Sequence, residues 1–379
     1  MTQVSPAVVM SRRQTTVLWL TVSFDTAFYA VLVPLLPHYV REAHLSQLGA
    51  GALMAAFGAG TVVGAVPGAV ITSRRGARAA LVGGLLTASL ASAAFGLATD
   101  PWALYAARLT QGIASGVIWT GALAWLVTGS PPDQRAEAIG RALGAAVVGQ
   151  LLGPACGALG DLYGPTALFA GVGTCGALLA LAALRLPAPA GQPDRAPVFA
   201  RVWGSMRERG MRGAIWLVSL PALLIGTLSV IAPLRLSALG LGAGAIAAVW
   251  LLAAVLEAAL SPALGRWADW RGRDAPTRVV LAAAFACSLG LPWIHSPWLF
   301  AGVACAAVLS YGCLWVPAMA NLSDHAERLG LGQGAGFAMQ SVWAPAQVLG
   351  SMVVGGVLAH WIGRPRSSWR SPRHASRPC

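Results

Sequence analysis

The chain has 379 residues; 56% are hydrophobic, only 10% are charged, and the mean hydropathy is +0.66. A soluble fold keeps enough charge to cover its exterior, so this composition excludes a soluble domain and points to a protein immersed in lipid. The net charge of +13 would suggest nucleic acid in a soluble chain, but all 26 basic residues are Arg and fall in short segments between apolar stretches, where membrane topology accounts for them.

In chain order, apolar spans are predicted over 16–40, 47–72, 79–98, 101–128, 139–161 and 165–186, then over 213–235, 242–264, 277–296, 297–321 and 334–362. Each is long enough to cross a hydrocarbon core about 30 Å thick. Backbone groups in lipid must be satisfied within the segment, and the weak alternation of a membrane barrel is absent, so the spans are helices. The expected fold class is therefore all-α integral membrane. Ser11-Arg12-Arg13-Gln14 faintly resembles a twin-arginine export signal, but the following apolar stretch is too long for a signal core and reads as the first span with a positive flank. Leu186 to Arg212 is Pro-rich and Arg-rich and reads as a linker between two bundles, at 1–188 and 213–363. The six Cys residues form no C-x-x-C pair and lack ligand spacing, so no metal or cofactor is expected.

Arg placement sets the expected orientation. Alternating the spans puts Arg12, Arg13, Arg74, Arg75, Arg78, Arg135, Arg141 and most later Arg residues on the side of the N-terminus. The other side holds only Arg41 and Arg235 before residue 364. The N-terminus is thus expected in the cytoplasm, in a multi-pass protein of the plasma (inner) membrane.

The two bundles repeat one another. Arg74-Arg75-Gly76 recurs as Trp270-Arg271-Gly272, and Gly157-Ala-Leu-Gly-Asp161-Leu-Tyr-Gly164 recurs as Gly356-Val-Leu-Ala-His360-Trp-Ile-Gly363. After Gly164 the first bundle continues into an apolar sixth span, whereas Gly363 is followed by residues 364–379 with five Arg. The expectation is six spans plus five, with a twelfth helix lost through frameshift or truncation; a genuine basic tail is the alternative. Paired repeats of this kind place a substrate site near the midplane, between the halves.

The inter-span loops carry a resemblance to a known family. Gly265-Arg-Trp-Ala-Asp269-Trp-Arg271-Gly272-Arg273 resembles the G-x-x-x-D-R-x-G-R signature of the major facilitator superfamily. Its Gly is expected to permit the turn where that helix ends, and Asp269 with the Arg residues to latch neighbouring helix ends. In the first half only Arg74, Gly76 and Arg78 match, with Ser73 where the family carries Asp. Arg108-Leu-Thr-Gln111-Gly112 is similar to the family's R-x-x-Q-G motif. Gly149-Gln-Leu-Leu-Gly153-Pro154-Ala-Cys-Gly157 resembles the G-x-x-x-G-P-x-x-G motif of its drug–proton antiporter branch, as does Pro34-Leu-Leu-Pro37 closing the first span.

Charges inside spans default to function. Arg108 needs a partner or a wet cavity, and Asp25 is the candidate; the pair would either load and release a proton or form a fixed structural ion pair. Glu257, mid-span, would bind a cationic substrate or a second proton, or pair with a polar group across the bundle. Gln150, Gln340 and Gln347 are expected to line a cavity, with Trp119, Trp125, Trp250, Trp315 and Trp343 as candidate aromatic walls. The resemblance implies a proton-coupled exporter of small amphipathic molecules, working by alternating access as a monomer in the lipid bilayer. An uptake carrier and a non-functional truncated transporter are the alternatives. A membrane enzyme would need convergent catalytic groups, and no H-E-x-x-H, Ser–His–Asp or phosphate-loop pattern is present.

Overall fold

The computed structural model describes residues 10–131, 134–188, 208–272, 274–328 and 343–357, with the backbone alone at 135–136, 268–269, 274, 316, 319–320, 323–324 and 326–327. These residues are almost wholly helical. The first half comprises α1 (Arg12–Ala30), α2 (Leu32–Glu42), α3 (Gln47–Arg75), α4 (Ala77–Leu97), α5 (Pro101–Thr128), α6 (Arg135–Tyr163) and α7 (Pro165–Leu184). The second comprises α8 (Arg209–Ala238), α9 (Ala243–Arg271), α10 (Asp274–Gly290), α11 (Pro297–Arg328) and α12 (343–357), in which Gly350–Gly356 form a π-helical stretch. Ten spans, counting α1 and α2 as one, are long and apolar enough to cross a membrane among the described residues. The expected eleventh, 334–362, is described only over 343–357.

Local chemistry explains where these helices start and bend. Ser11 and Gln14 form a reciprocal capping box at the start of α1, so the Ser-Arg-Arg-Gln segment is a helix cap. Asp100 caps α5 by accepting the amides of Trp102 and Ala103 at 3.0 Å, with Pro101 at the first helical position. The first span breaks at Val31 because Pro34 has no N–H for the Ala30 carbonyl. Gly76 and Gly272 both take left-handed φ, +88° and +79°, at the equivalent turns of the two halves. Of the two glycines in the 265–273 motif, Gly265 lies within α9, which runs on to Arg271, and the reversal falls at Gly272, the position with positive φ.

The packing repeats as the sequence does. In the first half α3 packs on α5, α4 on α5 and α7, and α1 on α6; in the second, α9 packs on α11, α10 on α11, and α8 on α12. Arg residues gather at one end of the helices, and Arg41 and Arg235 lie at the other. At this Arg-poor end the halves share one core, which joins Phe28, Leu32, Leu36 and Phe57 to Leu236, Trp250, Phe300 and Tyr311. Arg41 donates to the Ser237 hydroxyl across the seam at 3.2 Å, and a Cβ on Gly51 would press on the Ser351 carbonyl and Gly356. Towards the Arg-rich end the cores are separate. One, around Leu81, Ile118 and Trp125, belongs wholly to the first half, and another, around Val218, Ala318 and Leu322, wholly to the second. The halves are therefore sealed at the Arg-poor end and parted towards the other.

Candidate functional site

Between the parted halves lies a cavity of about 310 Å³. Helical spacing dictates what faces it. Asp25 and Tyr29 are one turn apart on α1, Ser115, Trp119 and Leu123 follow one another on α5, and Trp343 and Gln347 are one turn apart on α12. α6 adds Gln150 among aliphatic side chains, α9 adds Glu257 and α11 adds Trp315. Two carboxylates line the space and no basic side chain does, among the described residues.

Asp25 is buried, at 3% exposure. Its Oδ2 accepts the Ser115 hydroxyl at 2.7 Å and the Trp119 indole N–H at 2.8 Å, while Oδ1 has no partner among the described residues. The two donors occupy successive turns of α5, on the stripe that begins with Arg108 and Gln111. That spacing could have found them; Ser115 was missed, and Trp119 was read only as a wall.

Arg108 is fully buried but forms no ion pair with Asp25. Its Nη1 donates to Gln111 Oε1 and its Nη2 to the Tyr29 carbonyl, both at 3.0 Å. The guanidinium stands 4.6 Å from the Phe57 ring centroid and 5.9 Å from that of Phe28. The reason is register: Ser115, which holds Asp25, lies two turns or about 10 Å along α5 from Arg108. Gln111 completes the arrangement by donating to the Ala91 carbonyl at 3.4 Å, which ties α5 to α4.

Glu257 reaches the cavity from the second half. Its carboxylate rests against Gly312 of α11, where an added Cβ would overlap it, and no cation or hydrogen-bond donor reaches it among the described residues. Gln347 donates to the Tyr29 hydroxyl across the two halves. Trp119, Trp315 and Trp343 are cavity walls, whereas Trp125 lies fully buried in the first-half core.

The glycine motifs are contact surfaces. An added Cβ on Gly149 would overlap the Ser23 carbonyl, one on Gly153 would meet Ala27 and Ala30, and one on Gly157 would meet Val31 and Pro34. The α6 stripe thus presses on α1 along the helix that carries Asp25, and on its Pro34 bend, and Ser23 Oγ also donates to the Ala145 carbonyl at 2.6 Å. Pro154 lies within α6 beside this stripe. Gly112 lies against the Phe57 carbonyl and Gly60, joining α5 to α3.

The loop residues fall away from the cavity. Arg74 and Gly76 end α3, and Arg78 donates to the Leu186 carbonyl at 2.9 Å. Gly265 meets nothing, and Arg271 stacks on its neighbour Trp270, 5.3 Å from the ring centroid. Arg273, Gln340 and residues 364–379 lie outside the described residues, as does the side chain of Asp269.

This architecture has known counterparts. Over 91% of the chain it superposes on 82% of a bacterial homologue of the human lysosomal transporter Spinster, solved in an inward-facing and unoccupied conformation, with a TM-score of 0.73 at 17% identity. The nucleoside transporter NupG gives 0.72 at 12% identity, covering 92% of this chain and 91% of that one. Among curated proteins, the MFS-type transporter ppzB of Metarhizium rileyi is 32% identical over 155 residues, 38% of this chain and 32% of that protein. Multidrug resistance protein 2 of Bacillus subtilis is 27% identical over 127 residues, 34% of this chain and 32% of that protein. These alignments span about a third of each relative's length. The model of the Major Facilitator Superfamily matches residues 18–351, and the chain belongs to that family.

Proposed function

We propose that the protein is a proton-coupled exporter of small amphipathic molecules, working by alternating access in the plasma (inner) membrane. The observation that carries this reading is Asp25: a buried carboxylate in the cavity wall, held by two neutral donors and by no cation, with one oxygen unpartnered. Such a group can exchange a proton with a wet cavity without breaking an ion pair. The apolar and aromatic walls suit a hydrophobic body, and the carboxylates suit a polar or cationic end.

An outward direction is part of this reading, and orientation is compatible with it. The Arg-rich end is cytoplasmic by the positive-inside rule, so the cavity admits substrate from the cytoplasm. The similarity to a multidrug resistance protein and the Gly-Pro motif of α6 support export.

Proton-driven uptake into inverted vesicles tests this. An imposed proton gradient should drive accumulation of a lipophilic dye, and collapsing the gradient should abolish it. Accumulation by whole cells would instead establish an uptake carrier.

A further inference from the structure

Beyond the main cavity, on its sealed side, lies a second space of about 30 Å³. Both halves wall it: Tyr29 and Gln150 from the first, and Ser229, Trp250, Ala254 and Glu257 from the second. Tyr29, Gln150, Ile225 and Glu257 border both spaces and form the neck between them. The recess holds one or two water-sized groups, against about 310 Å³ for the cavity outside.

Its chemistry is one-sided. Glu257 brings a negative charge that no described side chain neutralises, in a place where an unpaired carboxylate is costly. The glycine at 312 makes the room in which that carboxylate rests. Ser229 gives its proton to the Ile225 carbonyl at 2.7 Å, and its oxygen faces the Tyr29 hydroxyl, its hydrogen-bond partner. The Gln150 side chain adds a neutral polar group, and Trp250 and Tyr29 add aromatic surface that favours a cation. Among the described residues, no basic side chain lines the recess.

We propose that this recess is a headgroup site for a protonated primary amine. The ammonium sits at Glu257, and the aromatic or aliphatic body stays in the main cavity against Trp119, Trp315 and Trp343. The N–H donors meet the Glu257 carboxylate in a space of about 30 Å³, which is too small for a trimethylammonium group, and that group has no donors. This rests on the reading of the main cavity as the substrate site.

Binding of tritiated 2-(1-naphthyl)ethylamine to the full chain in nanodiscs, with its N,N,N-trimethyl analogue and 2-(1-naphthyl)ethanol as competitors, tests the proposal. The amine should bind about tenfold tighter than the trimethyl analogue, the weight of one charge-assisted contact. Glu257→Gln, nearly isosteric, should weaken the amine by about tenfold and leave the alcohol unchanged. Ala254→Leu, which fills the recess and keeps the Glu257 carboxylate in the chain, should erase the preference for the amine over the trimethyl analogue. Equal binding of the two cations by the unaltered protein, or an unchanged amine affinity in Glu257→Gln, overturns the proposal. If the alcohol competes while these preferences are missing, the recess assignment alone fails. If none of the three binds, the main cavity is not the substrate site and both readings fail.

Discussion

The Tyr29 hydroxyl accepts a hydrogen bond from the Gln347 side-chain amide, and the Tyr29 carbonyl accepts one from Arg108. A single residue of α1 therefore connects the buried cation of the first half to the last described helix of the second, at the sealed end of the cavity. Alternating access would have to break the Gln347 contact each time the Arg-poor end opens.

Gln347→Leu should weaken that seal. A net hydrogen bond contributes about 1 kcal/mol, so the ratio of conformers sealed and open at the Arg-poor end should fall about fivefold. Spin labels at Glu42 and Ala238, both exposed at that end, would show a second, longer distance gaining population. An unchanged distribution would mean the contact is incidental.

Asp25→Asn keeps the shape of the side chain but cannot gain or lose the proton. Transport driven by a pH gradient in proteoliposomes should fall by at least tenfold, while exchange of labelled for unlabelled substrate continues. Ser115→Ala removes one of two donors and should slow gradient-driven transport about tenfold or more, in line with about 1.5–3 kcal/mol for a hydrogen bond to a charged group. Full gradient-driven activity in Asp25→Asn would remove this carboxylate from the coupling.

Arg108→Lys retains the charge but not the planar fork that serves Tyr29 and Gln111 together while lying against Phe57. The loss should be about 1–3 kcal/mol, visible as a lower thermal midpoint in detergent. A midpoint equal to that of the unaltered protein would show that charge alone suffices.

Gly149→Ala and Gly153→Ala should each destabilise by about 1–3 kcal/mol, because the added methyl has no space between α6 and α1. Gly144→Ala on the same helix meets nothing within 4 Å and should instead stabilise by about 0.5–1 kcal/mol through helix propensity. Thermal denaturation of the three variants side by side separates packing from propensity; equal shifts would remove the packing explanation.

Much of the fold was legible in sequence because lipid imposes a simple rule. A span must be apolar for about 20 residues and satisfy its own backbone, so the ten spans found among the described residues and their approximate limits follow from composition. The repeat around Gly76 and Gly272 was legible too, and both residues turned out to need positive φ. Which of Gly265 and Gly272 turns the chain was not, because a glycine inside a helix and one just past its end look alike in sequence.

The site was legible in its residue types and not in its pairings. An Asp and an Arg inside spans stand out by their cost in lipid, and Asp25, Glu257, Gln150 and Gln347 all line the cavity. That Asp25 meets Ser115 and Trp119, and that Arg108 meets Tyr29 and Gln111, depends on the relative rotation and axial shift of α1 and α5. Those two quantities depend on the glycine contacts that bring α6 onto α1 and α3 onto α5, a packing problem of four helices that no single helix encodes. The sequence alone determined that the chain is a doubled helical bundle with charges stranded in its interior. The tertiary structure decided which end is sealed and which groups hold those charges, because both depend on how helices distant in the chain are brought together.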